Sequence, residues 1–124
     1  MQIDENDVLG LERRFMEAWS SGDLEGISAM YAPDATMAMS GDLFRGRAAI
    51  LTHYRDLFPD PKAMGTLTLE LEDFRSVASV RLNIASAMFQ WKLHLADGRV
   101  ESGYSLIVYG LRENQVVILQ DMTK

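Results

Sequence analysis

The chain changes period halfway along, and this limits its fold more than any other feature. In the first half, apolar side chains recur at three- and four-residue spacing; from Thr66 onward they alternate. Val8, Leu11, Phe15 and Trp19, with Ala18, line one face of a helix. Asp4, Asn6 or Asp7 can cap its start, and Ser20-Ser21-Gly22 stops it. Asp23 reads as the N-cap of a short second helix carrying Leu24, Ile27 and Tyr31, ended by Pro33. Residues 35–40 are strand-like, with Met37 and Met39 on one side. A Gly-containing turn over 41–46 leads to a third helix from about 47 to 58, striped by Ile50, Tyr54, Leu57 and Phe58 and closed by Pro59-Asp60-Pro61.

Thr66-Leu67-Thr68-Leu69-Glu70-Leu71-Glu72 then alternates without a fault, which predicts a strand with one leucine face, running on to about Val80. After a turn at Leu82-Asn83, a second long strand spans 84–95 with Phe89, Trp91 and Leu93 on one side. Ala96-Asp97-Gly98 is a hairpin signal, and strands over 99–111 and 116–123 follow, separated by a turn at 112–115. Helices first and a strand meander after define an α+β fold, three N-terminal helices packed on one face of a curved, mostly antiparallel sheet. At 124 residues this is one domain, residues 1–124.

Charge and residue usage narrow the function. Twelve Lys+Arg against 18 Asp+Glu give a net charge of −6, which repels phosphate backbones, so no nucleic-acid partner is expected. No stretch approaches the roughly 20 apolar residues that cross a bilayer, and the acidic opening segment 1–7 does not read as a signal peptide. A cytoplasmic protein with no membrane partner is the expectation. Cysteine is absent, so disulfides, thiolate metal sites and cysteine nucleophiles are excluded together. The two histidines, His53 and His94, form no metal motif, so neither a metal nor a cofactor is expected. Neither a phosphate-binding glycine loop nor a Gly-x-Ser-x-Gly elbow is present. Both faces of the late strands are apolar, Ser105, Ile107 and Tyr109 on one and Tyr104, Leu106 and Val108 on the other. Three helices cover only one face of a sheet, which predicts a homodimer through the second.

Trp19-Ser20-Ser21-Gly22-Asp23-Leu24, then Tyr31-Ala32-Pro33-Asp34-Ala35-Thr36, then Gly46-Arg47-Ala48-Ala49-Ile50 resemble, in order and spacing, the NTF2-like superfamily. The likeness is greatest to SnoaL-like and DUF4440-type small proteins and to ketosteroid isomerases. It implies a cone with a cystatin-like α+β build, lined by Phe15, Trp19, Tyr31, Met37, Met39, Tyr54, Phe58, Phe89, Trp91, Ile107, Tyr109 and Leu119. Such a set suits a small apolar, ring-shaped ligand, and it equally suits a solid core. The resemblance places the isomerases' base, Tyr and late-strand Asp at Met39, Phe15 and Ile107, none of which moves a proton or donates to an enolate. True ketosteroid isomerase chemistry, which pairs a carboxylate base with a neutral acid, is therefore not expected. No arginine falls at an inward position, which also counts against the epoxide hydrolases of the superfamily.

Two polar residues stand out by position. His53 borders the apolar stripe of the third helix, and Asp121 shares strand parity with Val117 and Leu119. If both point inward they form an acid/base pair, as SnoaL-type cyclases place a carboxylate inside the cone; the expected chemistry is then a cofactor-free isomerase, cyclase or dehydratase. The alternative puts His53 on a backbone carbonyl at the rim and Asp121 near solvent, leaving a non-catalytic binder or dimerisation module.

Overall fold

A computed structural model describes residues 2–79 and 82–124. Three helices, α1 (Glu5–Ser20), α2 (Leu24–Ala29) and α3 (Arg47–Leu57), pack against one sheet of six strands. The strands are β1 (Tyr31–Met39), β2 (Asp42–Arg45), β3 (Thr66–Ala78), β4 (Asn83–His94), β5 (Val100–Arg112) and β6 (Gln115–Thr123), in the spatial order β2-β1-β6-β5-β4-β3. All neighbours are antiparallel except β1 and β6, which run parallel. Among the described residues no helix is long and apolar enough to cross a membrane.

Local chemistry explains the helix ends. Asp4 and Asp7 form a reciprocal capping box at the start of α1, and the Asp23 side chain accepts from Gly26 N at 2.9 Å at the start of α2. The expected stripe of α1 is the buried one, with Val8, Leu11, Phe15, Ala18 and Trp19 facing the sheet. The long β3–β4 and β4–β5 pairings follow the alternating halves of the sequence, joined across Asp97-Gly98.

Three local expectations change. Tyr31 does not end α2; it begins β1, and its carbonyl accepts two hydrogen bonds from Arg47, at 2.9 Å from Nε and 2.6 Å from the terminal guanidinium nitrogen. The β1–β6 register shifts between Tyr31 and Thr36, which accommodates Pro33 within the strand. The stretch expected as a simple turn contains β2, paired from Thr36 with Arg45 to Met39 with Asp42. The β5–β6 register shifts between Val108 and Tyr109, so Leu119 has no cross-strand partner and parity along β6 reverses there. Ile118 therefore shares the helix-facing side with Asp121, while Leu119 packs against Gly110 on the other side. The expected end of the third strand at Val80 lies outside the described residues.

Candidate active site

The curved sheet leaves a cavity of about 940 Å³ bounded by α1, the end of α3, the β1–β2 turn and strands β3 to β6. Its apolar wall includes Phe15, Trp19, Met39, Tyr54, Phe58, Trp91 and Ile107, together with Leu67, Leu69 and Leu93. Five of the expected lining residues stand elsewhere. Met37 and Phe89 are buried core residues, Tyr31 and Tyr109 are buried with their hydroxyls turned onto carboxylates, and Leu119 is on the far side of the sheet. The aromatic wall is built by edge contacts: the ring of Trp19 meets Tyr54 at 5.9 Å and Phe58 at 5.2 Å, and its indole N–H donates to Met64 O at 3.0 Å.

Two buried carboxylates open into this wall, Asp121 from β6 and Glu12 from α1, while Asp42 and Glu101 in the same lining are exposed. Asp121 is 7% exposed and accepts a hydrogen bond on each oxygen, from Tyr31 Oη at 2.8 Å on Oδ2 and from Thr123 Oγ1 at 3.0 Å on Oδ1. Burial pushes its pKa above the ordinary carboxylate range, and these two hydroxyls pull it back. Glu12 is 2% exposed, and Tyr109 Oη donates to its Oε1 at 2.5 Å. Burial raises Glu12 to about 8, with the Asp121 charge adding to the rise and the Tyr109 hydrogen bond opposing it. A second layer of hydroxyls completes the network, Tyr54 Oη at 3.2 Å from Tyr31 Oη and Ser105 Oγ at 2.9 Å from Thr123 Oγ1.

The structure does not bring His53 to Asp121. The imidazole stacks on Phe44 of β2 with ring centroids 4.0 Å apart, it is absent from the cavity wall, and its buried Nε2 has no hydrogen-bond partner. The carboxylate partner is Glu12, which the sequence pattern did not single out. A signal is present all the same, because position 12 lies four residues after Val8 and three before Phe15, inside the buried stripe of α1. A charged residue within such a stripe marks a group that must be neutral or paired. His94 is exposed at the end of β4. Among the described residues no group of three or more His, Cys, Asp or Glu is arranged to hold a metal ion.

The chain is thus a small α+β domain whose curved sheet and helices enclose an apolar cavity with two buried carboxylates. A profile of the SnoaL-like domain family matches residues 13–117, and the chain belongs to it. The fold is shared with an NTF-2 like protein of unknown function from Shewanella oneidensis, which superimposes with a TM-score of 0.84 at 20% identity over 95% of this chain and 96% of that one. Aln2 from a Streptomyces species superimposes with a TM-score of 0.78 at 13% identity, covering 100% of this chain and 94% of that one. In sequence, a steroid Δ-isomerase from Nocardioides simplex is 38% identical over 74 residues, 58% of this chain; the match spans 56% of that enzyme's length.

Proposed function

We propose that this SnoaL-like protein binds a small, largely apolar, ring-containing carbonyl compound and relocates a proton on it without a cofactor. The observation that carries the reading is the pair of buried carboxyl groups in one apolar cavity, held in different environments. At Asp121 two donated hydrogen bonds oppose the rise that burial causes, whereas Glu12 has one such bond and holds its proton to about pH 8. Asp121 takes the proton from the carbon next to the carbonyl, and the Glu12 carboxyl donates a hydrogen bond to the oxygen as it becomes an enolate. Return of the proton to another atom gives an isomerisation; attack of the enolate carbon or loss of a leaving group gives cyclisation or dehydration. The likeness to a steroid Δ-isomerase supports proton relocation. Different residues would carry it, since Phe15, Met39 and Ile107 fill the positions where the resemblance implies the isomerases' polar groups.

The test is hydrogen–deuterium exchange of tetralone, a bicyclic ketone, in deuterated buffer, followed by NMR. Wild-type protein is expected to accelerate loss of the hydrogens next to the carbonyl, and Asp121→Asn to lower that rate by about a hundredfold or more. Exchange at the buffer rate, or equal rates for both proteins, overturns the catalytic reading. Ketone binding without exchange selects the alternative, a binder of the same fold that does no chemistry.

A second copy of the chain is proposed to cover the outer face of the sheet. Met88, Leu106 and Met122 are cross-strand neighbours on β4, β5 and β6 and are 41%, 42% and 58% exposed, with Tyr104 beside them at 55%. None of the four is charged, so on a chain of net charge −6 this patch is where two copies meet with least repulsion. Light scattering behind size exclusion at micromolar concentration is expected to give twice the 13.9 kDa chain mass; a single-chain mass rejects the dimer.

A further inference from the structure

The hydroxyl network around Asp121 has a fixed direction once that residue is taken, as above, as the carboxylate. A hydroxyl has one proton to donate. The Tyr31 proton goes to Asp121 Oδ2, so the 3.2 Å contact between the two phenols is made by Tyr54 donating to Tyr31. The Thr123 proton goes to Asp121 Oδ1, so the 2.9 Å contact between the two aliphatic hydroxyls is made by Ser105 donating to Thr123. All four protons run toward one carboxylate. The outer ends of the two chains, Tyr54 and Ser105, are also part of the cavity wall; with their protons committed inward, their oxygens have only lone pairs to offer a ligand. Glu12, neutral and already accepting from Tyr109, is the buried complementary donor in the same wall, whose charged donors, Arg99 and Lys124, are exposed.

We infer that the cavity selects ligands carrying a hydroxyl, enol or N–H donor for Tyr54 and Ser105 together with a carbonyl acceptor for Glu12, a hydroxy-carbonyl or enolised dicarbonyl compound. An ether or a bare carbonyl at the Asp121 end sets lone pair against lone pair among apolar walls and leaves both hydroxyl oxygens unsatisfied. The selection rests on the proposed function and extends it from a carbonyl compound to one with a second, proton-bearing oxygen or nitrogen.

Three probes of similar ring size separate the outcomes: naphthol, its methyl ether and naphthalene. Trp19 and Trp91 are the chain's two tryptophans and both line the cavity, so their indole N–H signals in NMR titrations report binding there. Naphthol is expected to bind roughly tenfold more tightly than the other two, the size of one or two net hydrogen bonds. Ser105→Ala and Tyr54→Phe are each expected to shrink that preference and the double variant to remove it; the Ser105→Ala result suffices if the Tyr54 variants fail to fold. Equal affinity of wild-type protein for naphthol and its ether overturns the inference while leaving the apolar cavity in place. A preference that survives the substitutions also overturns it. Binding of none of the three overturns the inference together with the ligand reading of the cavity. A naphthol preference without tetralone exchange overturns the catalytic reading alone.

Discussion

Glu12→Gln is expected to make the protein more stable at pH 8 by several kcal/mol and to leave it nearly unchanged at pH 4 to 5. In the unfolded chain Glu12 ionises near its ordinary value of 4.5, whereas in the folded chain burial holds its proton to about 8. Between those values the folded state binds more protons than the unfolded state, so stability falls as pH rises. The contribution is complete below 4.5 and has gone once the pH passes about 8. At about 1.4 kcal/mol for each pH unit of that window, the loss is on the order of 5 kcal/mol. Asp121, also pushed upward by burial, adds a loss of the same sign. Glutamine keeps the shape and still accepts from Tyr109 through its carbonyl, but it has no proton to lose. Urea denaturation at pH 5 and pH 8 measures both proteins. A wild-type protein as stable at pH 8 as at pH 5, with the variant running parallel to it, contradicts the buried acid.

Gly65→Ala is expected to destabilise the fold by about 3 to 4 kcal/mol, a fall in Tm on the order of 10 to 15 °C for a chain of this size. Gly65 precedes β3 with φ of +78°, and a Cβ placed there overlaps the His94 carbonyl oxygen. That oxygen belongs to the backbone of β4, opposite Thr66, and cannot turn aside as a side chain would. Relief requires parting the ends of β3 and β4 beside the fully buried Met64. Gly98→Ala is the control: φ is +90° but nothing lies within 4 Å of the added carbon. It is expected to lose only the left-handed backbone contribution, about 1 kcal/mol. Equal losses in the two variants, read by thermal melts, refute the steric account.

Periodicity made the larger pieces legible. The helix striped by Val8, Leu11, Phe15 and Trp19, the alternating 66–72 segment and the hairpin at Asp97-Gly98 all read from local pattern, because each buries its apolar face by a rule of spacing. What local spacing does not carry is long-range pairing. Tyr31 fits a helix stripe and a strand start equally; Arg47 on its carbonyl and the β1–β6 pairing place it in the strand. The β2 strand is four residues long with glycine on either side, so its pattern is that of a turn. His53 then follows from β2, since the ring it stacks on, Phe44, belongs to the strand that the pattern hid. The parity of β6 breaks at an irregularity at Leu119 that no alternation reveals, yet Asp121 still faces inward. Glu12 was missed, although the same rule of spacing marks a carboxylate within an otherwise apolar stripe.

The strand order has a consequence for how the chain reaches this state. β6 lies between β1 and β5, so the earliest strand in the sequence gains its inner neighbour only after the last one is in place. The β3–β4–β5–β6 meander is built from hairpins of short separation, whereas Met37 meets Asp121 across most of the chain. By the same topology, docking of β1 on β6 is the expected late event, and Tyr31 reaches Asp121 only with it. Until then β6 offers an unpaired edge, an open template for another chain. Refolding yield is thus expected to follow a race between β1 and neighbouring molecules for that edge, and dilution to favour β1.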